Sequence, residues 1–250
     1  MTDLFTETWE SGSLSGYTVN TWNGDCAVLS GVPVHGGSYS LRSLVSLDTG
    51  WGVVSKNFAA SYAHLFLQYW LYLDSESISD GQILVCDGFN YGVDWLPQMR
   101  VGVAQVSGNL RWSIGYGNGA GAETWTTHST MGPTLDTWYK VKGELVRDAS
   151  AGEVHLSIGG SKIISVTGVN TGSNNPTRWE VGIGDHIGQN YIDDILVTDV
   201  DPDATGVTVK KGSCVPAMTA LLSKFSALKQ PREPRFQPRS FPKCTPRRLI

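Results

Sequence analysis

The feature that most constrains this chain is a recurrence. Short runs rich in β-branched and aromatic residues return about every 8–15 residues, each closed by Gly, Asn, Asp or Ser. About a dozen such runs lie before residue 200, the pattern of a sandwich or jelly roll. The most hydrophobic run, Tyr62–Leu73, has the length of a helix. Its alternation at Leu65, Leu67, Tyr69, Leu71 and Leu73, with its aromatic content, predicts a central strand instead. Arg100–Val106 and Leu110–Tyr116, joined by Ser107-Gly108-Asn109, predict a hairpin. So do Glu153–Ile158 and Lys162–Val166 around Gly159-Gly160, and Asn23-Gly24 carries a hairpin signal of its own. In Asn190–Val197, Ile192 alternates with Asp193 and then Ile195 and Val197 share a face, which predicts the strand that closes the sandwich.

Composition agrees. Gly 29, Trp 9 and Tyr 9 with only 17% charged residues favour strands and tight turns, and 40% hydrophobic residues can fill a sizeable core. No apolar run approaches the roughly 20 residues of a membrane helix, so no membrane partner is expected. Met1 is followed by Leu4-Phe5 without a basic segment or an apolar stretch, so no signal peptide is expected. Cys26 and Cys86 sit among apolar residues and predict buried thiols, whereas Cys214 and Cys244 leave their pairing open.

The charge is unevenly placed. Residues 1–200 carry 9 Lys and Arg against 20 Asp and Glu, while residues 201–250 carry 10 against 3. The period also changes after residue 200. Residues 200–212 read as a linker. Residues 213–229 read as an amphipathic helix with Met218, Leu221, Leu222 and Phe225 on one face, Pro216 in its first turn and Ser213 as cap. From 230 to 250 Pro recurs every three or four residues among Arg232, Arg235, Phe236, Arg239, Phe241, Arg247 and Arg248, a basic arm that reaches about 60 Å if extended. The Phe residues between the arginines fit grooves on a protein partner better than phosphates, so nucleic acid is not the expected partner.

Three stretches carry a family resemblance: Trp9-Glu10-Ser11-Gly12 running on to Gly16-Tyr17-Thr18-Val19, His35-Gly36-Gly37-Ser38-Tyr39-Ser40-Leu41-Arg42, and Tyr191-Ile192-Asp193-Asp194-Ile195. With Asp136-Thr137-Trp138-Tyr139-Lys140-Val141 they resemble the concanavalin A-like lectin/glucanase (laminin-G-like) jelly-roll superfamily over residues 1–199. The resemblance implies an all-β jelly-roll sandwich of two antiparallel sheets. It also implies a structural Ca²⁺ in the positions of Glu10 and Asp194, with carbonyls from loops 11–16 or 35–38 completing the oxygen shell. Trp9 departs from the Phe of that pattern. The superfamily holds lectins, hydrolases, lyases and inert modules, so function must come from a site.

The Glu-x-Asp-x-x-Glu strand of the glucanases is missing. Gln82-Ile83 is followed by Leu84 where lyases of this fold carry His. Glu144, Glu153 and Glu180 are isolated in sequence and read as polar decoration of strand faces, so no enzyme is expected. Tyr91, Asp94, Trp95 and Trp125, read as loop residues, are the candidates for stacking on sugar. The leading expectation is a structural module anchored by helix 213–229 and arm 230–250 to neighbouring subunits of an assembly. A viral or phage particle surface is its context, with a cytoplasmic stage before release. The alternative is a lectin-like carbohydrate-binding module; a polysaccharide hydrolase or lyase comes last.

Overall fold

In a computed structural model of the protein, the described residues are 3–92, 96–118 and 120–204. The chain divides after Lys210, and all described residues belong to the first unit. The predicted helix 213–229 and arm 230–250, with their partner-binding residues, lie outside the described residues. So does any pairing of Cys214 with Cys244.

Fifteen strands and no helix occur among the described residues: β1 (Asp3–Glu7), β2 (Thr18–Trp22), β3 (Gly24–Ser30), β4 (Tyr39–Val45), β5 (Trp51–Asn57), β6 (His64–Ser77), β7 (Ile83–Tyr91), β8 (Leu96–Val106), β9 (Asn109–Gly117), β10 (Glu123–Thr127), β11 (Trp138–Val146), β12 (Gly152–Ile158), β13 (Ser161–Val169), β14 (Arg178–Gly184) and β15 (Ile187–Thr198). They form two sheets, and every strand pair in them is antiparallel. An eight-stranded sheet runs β13-β12-β11-β6-β15-β4-β3, with β1 also on β15, and a seven-stranded sheet runs β10-β9-β8-β7-β14-β5-β2.

The alternating residues of Tyr62–Leu73 do what their period predicts. Leu65, Leu67, Tyr69, Leu71 and Leu73 are all buried on one face of β6. They meet Phe89, Met99, Val101, Trp112, Ile114, Trp179, Val181 and Ile183 from the second sheet in one apolar core. The hairpin β8–β9 closes at Val106 and Asn109 with Ser107 and Gly108 both at positive φ. The hairpin β12–β13 closes at Ile158 and Ser161 through Gly159 and Gly160 in the same conformation, the I′-like geometry that suits strand twist.

Asn23-Gly24 differs from its reading. Strand β2 pairs with β5 in one sheet and β3 with β4 in the other, so the Asn-Gly pair carries the chain between sheets rather than around a hairpin. The closing strand β15 lies inside its sheet, with β6 on one side and β4 and β1 on the other. Its register to β6 shifts between Asp193 and Leu196, and Asp194 has φ 50°. That bulge lets Ile192, Ile195 and Val197, which are out of phase in sequence, all reach the core.

Candidate functional site

Two adjoining irregularities in the seven-stranded sheet make the site. Pairing of β14 with β7 skips between Val181 and Gly184, and pairing of β7 with β8 shifts between Val85 and Asp87. Backbone groups freed by the first skip are satisfied from the opposite sheet. The Ser43 hydroxyl accepts from the Ile183 N–H at 2.9 Å and donates to the Gly52 carbonyl, while Asn190 Nδ2 donates to the Gly182 carbonyl at 2.9 Å. Gly182 has φ 148°, and a Cβ on it would lie 2.1 Å from the Gly52 carbonyl oxygen, so no larger residue fits without moving β5. At the second shift, Asp87 Oδ1 accepts the Val101 N–H at 3.1 Å.

The opened sheet leaves a pocket of about 190 Å³ on its outer face, lined by Trp51, Asn20, Arg100, Glu180 and Asp185 and floored by Val85, Cys86, Asp87 and Gly182. The register explains which side chains gather there. Glu180 stands opposite Gly88, Gly88 opposite Arg100, Arg100 opposite Gly115, and Gly115 opposite Trp125. Glycine at every second position of this row removes side chains and lets the long ones fold across the sheet. Thus the Trp125 ring lies on Gly115, where a Cβ would come within 2.8 Å of it, and reaches Gly102. Arg100 reaches both neighbours: its Nε lies 3.1 Å from Glu123 and its Nη2 3.3 Å from Glu180.

These groups are unevenly compensated. Glu180 is 3% exposed, and the Asn90 amide approaches it without reaching good hydrogen-bond geometry. Burial pushes its pKa up, against the pull of Arg100, Asn90 and Arg178. Glu123 is likewise raised by burial despite Arg100. Asp87, fully buried behind the pocket, is raised by burial to about 7. The Tyr69 hydroxyl approaches it from the other sheet without reaching good hydrogen-bond geometry. At one end of the face, Trp22 and Trp51 stack with centroids 6.3 Å apart, and Trp51 Nε1 donates to Asn20 Oδ1 at 3.0 Å. Trp22 is 58% exposed.

Of the residues expected to meet sugar, Trp125 lies on this face but in strand β10, not in a loop. The short Glu123–Thr127 run pairs with β9, which its Gly-rich flanks conceal in the sequence. Tyr91 ends β7 and lines no part of the pocket, and Asp94 and Trp95 lie outside the described residues. Glu180 corrects its reading as a solvated decoration, because it is a buried carboxylate of the pocket. Glu144 and Glu153 do sit on the other sheet, beside His64 and Lys162 and beside His155 respectively. Arg100, Glu123, Trp22 and Trp51 escaped sequence reasoning. The only sequence signal for them is Gly recurring at 88, 102, 115, 117 and 182.

Glu10 and Asp194 converge on one loop, as a shared cation would need. Glu10 Oε1 accepts the N–H groups of Ser38 and Tyr39 at 2.9 and 3.1 Å, and Asp194 Oδ2 meets His35 Nδ1 at 2.9 Å. Asp193 Oδ2 accepts the His35 and Gly36 N–H groups at 3.1 and 3.0 Å. Oxygen donors of the right kind are therefore present, yet their partners here are N–H groups and an imidazole. Among the described residues no three His, Cys, Asp or Glu side chains are grouped to hold a metal ion. The buried thiols Cys26 and Cys86 are as expected.

No family model matches the chain. No curated protein matches it in sequence. Solved structures do match in fold. A cellulose-induced protein, Cip1, superposes with a TM-score of 0.54 at 13% identity, over 78% of this chain and 97% of its own. The globular domain of T. cruzi calreticulin gives 0.54 at 11%, over 80% and 88%. A carbohydrate esterase of the Shiga toxin-encoding bacteriophage phi24B gives 0.53 at 14%, over 78% and 97%. With the two antiparallel sheets, these likenesses establish the concanavalin A-like jelly-roll fold.

Asp87 sets a pH dependence. Burial lifts its pKa from the ordinary 3.8 to about 7 in the folded chain, so folding carries a penalty that is full above about pH 7 and fades as pH falls toward about 4. Asp87→Asn keeps an acceptor for Val101. It should raise the melting temperature above wild type at about pH 8, and that advantage should vanish or reverse by about pH 4 in parallel thermal melts. An advantage independent of pH would contradict a buried, titrating Asp87.

Proposed function

We propose that this chain is a carbohydrate-binding module that holds a glycan across the outer face of its seven-stranded sheet. The observation that carries the reading is the pocket between Trp51 and the Arg100–Glu180 pair, with Trp125 farther along the same glycine-floored face. Sugar rings stack on aromatic faces and exchange hydrogen bonds with paired ionic side chains, and both kinds of group are exposed or pocketed here. At about 190 Å³ the pocket is smaller than the roughly 300 Å³ at which whole-ligand pockets begin, so it would take one ring of a longer chain. The fold likeness to a carbohydrate esterase and a cellulose-induced protein agrees with this reading but does not carry it.

The test is binding by calorimetry or a glycan array. Trp51→Ala should weaken glycan binding by about tenfold or more while changing the melting temperature little, since the ring is 37% exposed. Trp125→Ala should weaken binding too, with some loss of stability from its contact with Gly115. Retention of full affinity by both variants would remove the outer face as the site.

A structural calcium ion between Glu10 and Asp194 is a separate part of the proposal. What supports it is the convergence of both carboxylates on loop 35–39, where backbone carbonyls and water can complete the shell of a hard cation. Calcium should raise the melting temperature, a chelator should lower it, and Glu10→Ala should abolish the response. Identical melts in calcium and chelator would exclude the ion.

A role as a surface component of a viral or phage particle is the second reading. It is favoured by the acidic body, with 20 Asp and Glu in residues 1–200, against 10 Lys and Arg in residues 201–250. Light scattering should find the full chain oligomeric and a chain ending at Asp203 monomeric. Two equal monomers would leave the tail without a self-partner.

A further inference from the structure

One cross-strand row runs straight through the outer face. Pairing sets Trp22 opposite Trp51, Trp51 opposite Gly184, Gly184 opposite Val85 and Val85 opposite Gly102. Residues directly opposite share a face, so the whole row lies on the side of the pocket, which Trp51, Gly184 and Val85 line. Two tryptophans begin it. Trp22 is 58% exposed and stands on β2, the outermost strand of its sheet, with its indole inclined 27° to that of Trp51. A third indole ends it. The half-buried Trp125 ring lies over Gly102, where a Cβ would come within 3.2 Å of it. Between the tryptophans the row is low, because Gly184 and Gly102 carry no side chain and Val85 is buried. From β2 to β8 is four strand steps, about 19 Å at about 4.8 Å each, or about four pyranose rings end to end. No residue of the row is charged. Arg100 beside it is held by Glu123 and Glu180 at 3.1 and 3.3 Å. Among the described ionic side chains lining the pocket, only Asp185 is exposed.

We infer that this row is the track of a neutral polysaccharide whose rings are joined through equatorial bonds, crossing the strands from Trp22 to Trp125. This inference rests on the glycan reading above and names the class of chain and its path. Equatorial linkages give a straight ribbon with flat apolar ring faces, and a straight ribbon can meet three indoles set along one line. A chain with axial linkages curls away from that line. A polyanion finds no cation on the row and meets the exposed carboxylate of Asp185. Because β2 has no neighbour beyond it in its sheet, the ribbon can continue past Trp22, so internal stretches of a long polymer bind as well as its ends.

The experiment titrates the full chain by calorimetry with cello- and xylo-oligosaccharides, which are equatorially linked, and with axially linked malto-oligosaccharides, each from two to six rings. Affinity for at least one equatorial series should rise about tenfold or more between two rings and four or five, then level off. The malto series should bind weakly at every length. Trp22→Ala should cost the five-ring ligand about tenfold and the two-ring ligand much less. Gly184→Val places a side chain in the track. Its Cβ would meet only Val85, at an ordinary 3.8 Å, so the variant should fold and should lose most of its affinity for five rings. Raising salt from about 0.05 to about 0.5 M should change affinity by less than about twofold, as for a neutral ligand. Affinity that does not grow with length, tighter binding of the malto series, a strong salt dependence, or wild-type affinity of both variants for five rings overturns the track and leaves the glycan module standing. Binding of none of the three series removes the track, and a silent glycan array in addition removes the module.

Discussion

The structure depends on how it satisfies one interrupted ladder. Between Val181 and Gly184 strand β14 loses its partner on β7, and the backbone groups left behind lie at the centre of a two-layer sandwich. A buried peptide group without a partner costs about as much as a lost hydrogen bond or more. Here the partners come from the opposite layer, through Ser43 on β4 and Asn190 on β15, both fully buried. Two polar side chains thus cross the interior at defined positions. They tie the register of one sheet to the other where apolar packing alone would tolerate sliding.

The same interruption makes the pocket. An unbroken run of paired strands would present a flat pleated face; the skip at Gly182 and the shift beside Asp87 open it between β7 and β14. Glycine matters there through absence, because only without Cβ atoms at 88, 102 and 115 can Arg100 and Trp125 lie across neighbouring strands. The buried carboxyls are left in surroundings that disfavour their charge, and burial is the leading cause of every raised value in the group. Such strain is the expected cost of a binding surface built into a core layer.

The loop 35–39 shows a comparable economy at the other sheet. Three carboxylates from two places in the chain, Glu10 and the adjacent Asp193 and Asp194, hold it, and the His35 ring stacks on Trp70 with centroids 3.6 Å apart. The loop is ordered by its partners from opposite ends of the sequence, which is why the start and the end of this domain carry matching motifs.

By itself the sequence determined the class of fold, the central strand at Tyr62–Leu73, both glycine-turn hairpins, and the burial of Cys26 and Cys86. These are written in period, turn chemistry and local composition, which act over a few residues. Only the tertiary structure decided that Asn23-Gly24 changes sheet, that Trp125 belongs to a strand, and that Glu180 is buried. It alone gathered Trp51, Arg100, Glu123 and Glu180, from four strands spread over about 130 residues of chain, onto one face. Cross-strand register and bulges set that meeting, and no local pattern records which residue of one strand will stand opposite which residue of another.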